Sequence, residues 1–359
     1  MKASKYFSGI VFISLMLWMS CSGDKSLSPV DFVPFGSSLS VNRLAWSPAS
    51  QPADNVHTFK NRMTNFIWFN PVLQVPVKDI HPERVLSPNT PNRIDVLTLM
   101  CMPDSTQTDK NIWAGVMQKV PRDSVDQSSA TVLDIMVKGD RGRLHVDLGV
   151  ISEDVIPNGK LDSEDKLVNG RRNGKLDDGE DTGLDGISKP DPPQFNFPRS
   201  EFVGQSINDI PYDFWDVNQN GLKDADEPWS YDDFFYPEVS ISYITEGKGS
   251  IDGQENNRND ELGNIPDTED INFNNVLEEE NDYYSYSVSL DKTSSDTLSI
   301  VGGNPSKGWF LYRIPFDQAH ADRIVGSPTK SQIKHVRIWV DELALRGNDD
   351  EISIAEIKF

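Results

Sequence analysis

Short runs of hydrophobic residues that alternate with polar ones recur through much of this 359-residue chain. In the clearest, at 143–151, leucine and valine alternate with polar or small residues, so one face of a strand would be apolar. Eight such runs form two groups of four, at 93–102, 112–120, 130–138 and 143–151, and at 283–290, 309–314, 333–340 and 351–359. The pattern predicts an all-β antiparallel sandwich, and a jelly roll best matches the strand count.

Two details of these runs make finer predictions. His145 and His335 lie on the polar parity of their runs, which predicts that both face solvent. In the run 351–359, the hydrophobic parity changes after Ile354, because Ile357 falls on the opposite face. A β-bulge near residues 355–356 would restore the apolar face to the core.

The first 21 residues have the features of a targeting segment. Lys2 and Lys5 precede an apolar stretch at 7–19 that is too short to span a membrane comfortably. A small residue followed by Cys21 resembles the lipobox of bacterial lipoproteins, in which the cysteine is lipidated. We therefore predict a lipoprotein signal peptide, a lipid anchor at Cys21 and an outer-membrane location, either periplasmic or surface-facing. Simple signal cleavage beside an incidental cysteine is the alternative.

Composition divides the rest of the chain. Residues 22–63 are polar and predict a tether, while residues 64–359 are expected to form one sandwich domain with an insert at 151–282. The formal net charge is −22, and the segment 151–285 has 33 Asp and Glu against 10 Lys and Arg, a net of −23. Nucleic acid is therefore a poor partner. So acidic a segment either repels itself into disorder or is neutralised by bound cations.

The strongest motif in the insert is DVNQNGLKDADE at 216–227, which fits the twelve-residue calcium-loop pattern. A hard cation needs six to eight oxygens, and this spacing wraps them around one point. The predicted Ca²⁺ ligands are Asp216, Asn218, Asn220, the carbonyl of Leu222, Asp224 and Glu227. Pro211 and Pro228 flank the loop, so the usual helices are not expected. A solvated Asn/Asp/Gly turn is the alternative.

Three weaker copies of this motif lie in the same insert. Ile156 and Arg171 occupy the third position in two of them, and Asn275 replaces the glycine in the other. Their predicted ligands are Asp154, Asn158, Asp162 and Asp165; Asn169, Asn173, Asp177 and Glu180; and Asp270, Asn272, Asn274 and Glu278. Bound Ca²⁺ would then replace the hydrophobic core that so acidic an insert lacks.

The sequence offers no recognisable catalytic constellation. Its five histidines lack metal-ligand spacing, and no GxSxG, HExxH, P-loop or CxxC motif is present. We therefore expect a non-catalytic protein. Aromatic residues at 214–236 are expected to pin the insert to the sandwich, with stacking on a sugar or peptide as the alternative. Cys101, in a strand-like run, is expected to be a buried apolar residue.

Several segments resemble, in matching order, the soluble repeats of the SprA (Sov) family. They are RGRLHVDLGVISEDVIPNGKLDSED, GKLDDGEDTGLDG, DFWDVNQNGLKDADEPWSYDD, PDTEDINFNNVLEEENDYYSYSVSL, GWFLYRIP and IKHVRIWV. That family comprises outer-membrane translocons of type IX secretion, linked to gliding motility. Its members are much larger and contain a transmembrane barrel. We therefore expect this chain to correspond to their soluble sandwich alone, over roughly residues 64–359.

The resemblance implies a jelly roll like those of galactose-binding and carbohydrate-binding modules. It also implies an accessory role in type IX secretion, gliding or surface assembly, with protein partners in the outer membrane. Two alternatives stay open, namely a glycan-binding surface lipoprotein and the remnant of a split translocon gene.

Overall fold

The computed structural model describes residues 38–63, 65–102, 110–120, 126–180, 182–187, 189–190, 199–230, 248, 251–253, 258–260, 263–293, 299–343 and 349–359. These residues form strands and loops, with one α-helical turn, α1, at Val77–Ile80. Short 3-10 turns lie at Arg43–Ala45, Phe59–Asn61, Arg199–Phe202 and Pro305–Lys307. None of the helices described has the length and apolar character needed to cross a membrane.

Two antiparallel sheets contain most of the strands. The six-stranded sheet has the order β1 (Ser47–Pro48), β6 (Ala114–Lys119), β16 (His335–Asp341), β8 (Arg143–Val150), β12 (Asp282–Ser289) and β15 (Arg323–Val325). The seven-stranded sheet has the order β13 (Ile300–Asn304), β14 (Trp309–Pro315), β7 (Val132–Lys138), β17 (Asp350–Lys358), β5 (Leu97–Cys101), β2 (Phe66–Phe69) and β9 (Ile251–Gly253). Two small ribbons pair β3 (Val75–Pro76) with β4 (Arg93–Ile94), and β10 (Arg258–Asp260) with β11 (Gly263–Ile265).

The inner faces of the two large sheets share one hydrophobic core. Leu144 and Val146 of β8 belong to the same buried cluster as Leu133 and Ile135 of β7. Cys101 is fully buried in that cluster, as predicted. All eight predicted runs contain strands, which confirms the all-β, sandwich-like character of the fold.

The predicted β-bulge is also present. The register of β17 against β7 shifts between Ile354 and Glu356. Both Ile354 and Ile357 are consequently buried in the shared core despite their opposite parity in the sequence. The extra residue thus keeps one face of the last strand apolar, as the sequence required.

The two ends of the insert meet at the β8–β12 pair, although its segment Ile251–Gly253 also joins the seven-stranded sheet as β9. Strands β8 and β12 pair along their whole length, from Asp282 opposite Val150 to Ser289 opposite Arg143. The residues just outside this pairing, 151–153 and 278–281, form what we call the neck of the insert. The two ends of the insert are therefore held side by side by a strand pair that belongs to the sandwich.

The outer face of the six-stranded sheet is covered, so the prediction that His145 and His335 face solvent is wrong. They are 8% and 3% exposed. A second buried cluster lies over this face, with Phe59 from the N-terminal segment and Ile156 and Trp215 from the insert. Residues distant in sequence supply this cover, which is why the alternation within one strand did not reveal it.

Part of the predicted tether belongs to the fold. In the segment 22–63, the structure describes residues from 38 onward, and Trp46 there is buried in the shared core. Ser47 and Pro48 pair with β6 at the edge of the six-stranded sheet. Residues 38–63 therefore belong to the folded domain and not to the tether predicted over 22–63. Apolar residues of this segment pack in the core and over the outer face of the six-stranded sheet.

Beneath the cover lies a buried ion pair. Arg337 is fully buried, and its Nη2 lies 2.7 Å from Oδ2 of Asp147, which is itself 1% exposed. Arg337 Nη1 also donates to the carbonyls of Ser50 and Gln51 at 3.1 and 3.0 Å. The indole N–H of Trp339 donates to the same Asp147 oxygen at 2.9 Å. This network joins the N-terminal segment to the sheet.

Candidate metal-binding loops

Loop 3, residues 216–227, folds around its own first carboxylate. Asp216 accepts hydrogen bonds from the backbone N–H groups of Asn220 and Gly221, at 3.1 and 2.8 Å. Gly221 has a φ of 74°, in the left-handed region that favours glycine. At the other end, Glu227 Oε2 accepts from the N–H of Asp224 at 2.9 Å. Carboxylates thus close the loop at both ends.

The amides of loop 3 lie between these carboxylates. Asn218 Oδ1 accepts from the N–H of Asn220 at 3.0 Å, and Asn220 Oδ1 accepts from the N–H of Leu222 at 2.6 Å. Both amide nitrogens donate to Asp224 Oδ2. Glu227 is 7% exposed, burial raises its pKa, and its Oε1 has no hydrogen-bond partner. All six predicted ligands therefore share one compact loop with an unused buried carboxylate oxygen.

The same hydrogen bonds recur in the two loops at the neck. In loop 1, 154–165, Asp154 accepts from the N–H groups of Asn158 and Gly159, both at 3.3 Å. In loop 4, which begins at Asp270, that residue accepts from the N–H groups at 274 and 275, at 2.9 and 2.6 Å. Asn275 takes the place of glycine with a φ of 62°, which asparagine tolerates.

A second contact is common to all four loops. The amide nitrogen at the fifth position donates to the carboxylate at the ninth. The pairs are Asn158 with Asp162, Asn173 with Asp177 and Asn274 with Glu278, each at 2.7 Å, and Asn220 with Asp224 at 3.0 Å. The turn between the fifth and ninth residues of the motif is therefore repeated in all four loops.

In loop 2, the copy predicted over residues 169–180, the first side-chain acceptor is not Asn169. Asn169 is exposed, in a turn that pairs Val168 with Arg171. Asp165 takes the place expected of Asn169, because it accepts from the N–H groups of Asn173 and Gly174 at 3.2 and 2.6 Å. The residues between Asp165 and Asn173 loop out, so this acceptor lies outside a fixed twelve-residue spacing. At the other end of the loop, Glu180 accepts from the N–H of residue 177 at 2.9 Å.

The closing carboxylate of loop 1 also differs from the prediction. Asp165, expected there, belongs to loop 2, and Glu269 takes its place. Glu269 Oε2 accepts from the N–H of Asp162 at 2.9 Å, and Oε1 accepts from the N–H of Ile156 at 2.8 Å. Glu269 is fully buried although it lies more than a hundred residues away in sequence. Spacing within one segment could not reveal it.

Loop 4 receives its closing carboxylate from the other end of the insert. Glu153 Oε1 accepts from Asn272 Nδ2 at 2.9 Å, and the backbone N–H of Glu153 donates to the carbonyl of Glu278 at 2.7 Å. Glu153 is fully buried, and its Oε2 has no hydrogen-bond partner. Glu153 and Glu269 are the site residues that the sequence reasoning missed. Both stand directly before the first aspartate of a loop, and this repeated Glu-Asp pair was the available signal.

The electrostatics of these two glutamates are unusual. Burial raises the pKa of Glu269 to about 9. Burial, followed by the adjacent carboxyl of Glu278, raises the pKa of Glu153 to about 9 as well. Among the described residues, no basic side chain is one of the main groups that determine the pKa of Glu153 or of Glu269. A bound cation would supply the missing positive charge and keep both groups ionised.

The oxygens of these loops come from several kinds of group. Among the described residues, no three His, Cys, Asp or Glu side chains form a group that could hold a metal. Each of the four loops combines three carboxylates with asparagine amides. Hard cations such as Ca²⁺ use that mixed oxygen set. The unpartnered buried oxygens of Glu153 and Glu227 fit the same chemistry.

Three aromatic residues of the insert are buried, as the packing interpretation predicts. Phe214, Trp215 and Trp229 are 0%, 2% and 6% exposed. Trp215 lies in the cluster over the six-stranded sheet, and the other two pack in a small cluster of the insert itself. The remaining aromatics of that stretch, and the predicted lipidation site Cys21, lie outside the described residues.

A histidine cluster lies on the covered face of the sheet. His57 is within 2.9 Å of Asp54 and 3.0 Å of Asp341, and His145 lies 2.9 Å from Asp341. Burial lowers the pKa of His57, but hydrogen bonds to the two aspartates outweigh burial and raise it to about 9. The cluster joins the N-terminal segment to the sheet electrostatically.

No protein-family model matches the chain, and a search of curated proteins also found no match. The chemistry of the four loops therefore rests on their own geometry.

Proposed function

We propose that this protein is a non-catalytic surface module in which Ca²⁺, bound by the insert, stabilises a β-sandwich that contacts other proteins of the outer membrane. The observation that carries the proposal is the fourfold repetition of the same amide-to-carboxylate turn, together with the buried and unpartnered carboxylate oxygens of Glu227 in loop 3 and Glu153 in loop 4. Hydrogen-bonded solvated turns would not need buried, unpartnered carboxylates.

The ligand sets of this proposal follow the geometry of the loops. Loop 3 would hold Ca²⁺ with the residues predicted for it. Loop 1 would use Asp154, Asn158, Asp162 and Glu269; loop 2, Asp165, Asn173, Asp177 and Glu180; and loop 4, Asp270, Asn272, Asn274, Glu278 and Glu153. Four divalent cations would neutralise eight of the 23 excess negative charges in the segment 151–285.

The strand order supports a jelly roll within this proposal. The orders β6-β16-β8-β12 and β14-β7-β17-β5 place the eight long strands alternately in two sheets, apart from the β8–β12 pair. That arrangement is the one expected when a long hairpin is rolled into two facing sheets. The lipid anchor at Cys21, the outer-membrane location and the accessory role in type IX secretion rest on the lipobox-like sequence and on the resemblance to SprA.

Calcium titration calorimetry on the full-length chain tests the metal. Melting in calcium and in EDTA accompanies it. At about 1 mM Ca²⁺ and site constants of roughly 10⁻⁴ M, each site adds about 1.4 kcal/mol to the free energy of unfolding. Asp216→Ala with Glu227→Ala should remove one site, while Asp178→Ala, at an exposed position of the same insert, should remove none. Absence of both binding heat and a melting shift would refute the proposal.

Affinity capture from envelopes tests the role of the sandwich. Capture in calcium should retain outer-membrane secretion components, and capture in EDTA should retain fewer of them, because the insert would lose its order. Retention of polysaccharide without those proteins would instead favour glycan binding.

A further inference from the structure

Loops 1 and 4 are linked in a way that loops 2 and 3 are not. We propose that they form a single two-cation unit, in which each loop is completed by the glutamate that directly precedes the first ligand of the other. This inference rests on the proposed calcium binding. It adds that Ca²⁺ binding in loop 1 and Ca²⁺ binding in loop 4 are coupled. The two occupied loops would hold the ends of the insert together, and we call this pair the cation clasp.

The exchange is reciprocal in the main chain as well as in the side chains. The N–H of Glu269 donates to the carbonyl of Asp162 at 3.1 Å, while the N–H of Asp162 donates back to the Glu269 carboxylate at 2.9 Å. The N–H of Glu153 donates to the carbonyl of Glu278 at 2.7 Å, while Asn272 Nδ2 of the same loop donates to the Glu153 carboxylate at 2.9 Å. The backbone N–H of each glutamate thus bonds the carbonyl of the ninth residue of the opposite loop, and its carboxylate accepts a hydrogen bond from that same loop.

Both glutamates are placed for a ligand rather than for solvent. Each is fully buried. Glu153 Oε2 has no hydrogen-bond partner, and the carboxyl of Glu278 is adjacent to that of Glu153. Asn272 Nδ2 donates at 2.9 Å to both Glu153 Oε1 and Glu278 Oε2, so the two carboxylates lie close together, although Glu278 itself is only partly buried. Two carboxylates this close repel each other when both are ionised, and a cation between them removes the repulsion. Loops 2 and 3 instead close on Glu180 and Glu227 from within their own segments.

Coupling follows from the chain connectivity. A cation in loop 1 would order Glu269, and hence the adjacent Asp270 that begins loop 4. A cation in loop 4 would order Glu153, and hence the adjacent Asp154 that begins loop 1. Binding at either site therefore lowers the ordering cost at the other, which gives positive cooperativity.

Each loop has a reporter of its own for testing this coupling. In each loop the backbone N–H of the glycine, or of Asn275 in loop 4, donates to the first carboxylate, so its amide resonance reports on that loop. These residues are Gly159, Gly174, Gly221 and Asn275. We would titrate the labelled full-length chain with calcium alone and follow the four resonances in the unmodified protein, in Glu269→Gln, in Glu153→Gln and in Asp165→Asn.

The variants distinguish the exchanged ligands, Glu269 and Glu153, from Asp165, the ligand that the twelve-residue pattern predicts for loop 1. Glu269→Gln should raise the calcium midpoint at Gly159 by about tenfold or more, and that at Asn275 by a smaller factor. Glu153→Gln should do the reverse, and Gly221 should change in neither variant. Asp165→Asn should affect Gly174 and spare Gly159. Glu351→Gln, an exposed strand position, is the matched control for folding.

This experiment distinguishes failure of the proposed calcium binding from failure of the proposed exchange and coupling between loops 1 and 4. If no reporter moves in the unmodified protein, calcium binding itself is refuted. If Gly159 titrates but is insensitive to Glu269→Gln, or responds to Asp165→Asn instead, the exchange is overturned while calcium binding stands. If the midpoints at Gly159 and Asn275 are each unaffected by the partner loop's variant, the coupling is overturned. Unchanged far-ultraviolet circular dichroism in each variant excludes general unfolding as the cause.

Discussion

Replacing Arg337 with methionine removes the positive partner of a carboxylate that is shielded from water. Asp147 is 1% exposed and would retain the indole N–H of Trp339 as a donor. Methionine fills much of the arginine volume, so the loss is mainly electrostatic. Removal of one partner from a buried pair typically costs about 3–5 kcal/mol. We expect Arg337→Met to lower the free energy of unfolding by about that amount.

The opposite sheet offers a matched control with similar geometry and more exposure. Arg313 contacts Asp134 through two hydrogen bonds, at 2.7 and 2.6 Å, with side chains 29% and 16% exposed. Arg313→Met should cost less than about 1 kcal/mol. Urea unfolding of both variants at pH 7 and constant calcium measures the difference, with unchanged m-values as the test that only stability has changed.

The combined variant Arg337→Met with Asp147→Leu isolates the cost of the unpaired charge. It should be more stable than Arg337→Met alone, because no buried carboxylate is left without a cation. If Arg337→Met costs no more than Arg313→Met, or if the two changes simply add, the reasoning from burial is wrong. Either result would mean that water reaches Asp147 beneath the cover.

Three further outcomes are expected. The pKa of His57 is raised from an ordinary 6.5 to about 9, so its protonated form stabilises the fold fully below pH 6.5, and this contribution is lost as the pH rises through about 9. The melting temperature should therefore be lower at pH 10 than at pH 7, and His57→Gln should remove the part of this difference that is due to His57. Gly115→Ala would place a Cβ 2.6 Å from Cβ of Trp339, so melting should occur several degrees lower, and an unchanged midpoint would contradict the close strand approach. Cys101 is fully buried and burial raises its pKa, so in a Cys21→Ser background a thiol reagent should label it only after unfolding, and rapid labelling of the native protein would argue against that burial.

The strands were predictable because one physical rule sets their pattern. A residue on the inner face must be apolar, and the pleat repeats that demand every second position. The same rule located the bulge in β17, where the parity changes after Ile354. It failed on the outer face of the six-stranded sheet. There Arg337 and His145 are polar yet buried, because carboxylates pair with them under a cover formed by distant segments.

Loop 3 was predictable for a different reason, since all its oxygens lie within twelve consecutive residues. Loops 1 and 4 take one carboxylate each from the far end of the insert, and Asp162 and Glu269 are 107 residues apart. Loop 2 keeps local ligands but loops out the residues after Asp165. A spacing rule considers only residues within one segment, so it cannot locate a carboxylate that reaches a loop from the far end of the insert.

Closure of the insert at its neck, residues 151–153 and 278–281, also affects the rate at which this protein can fold. Val150 and Asp282 are paired in the sheet although residues 151–281 lie between them. Bringing together the ends of a flexible loop of on the order of 130 residues costs about 4 kcal/mol in chain entropy. A cation clasp joining Glu153 to loop 4 and Glu269 to loop 1 would close that loop before β8 and β12 meet. Refolding should therefore be faster in calcium than in EDTA, and the rate of strand pairing would depend on an ion that lies outside the sheet.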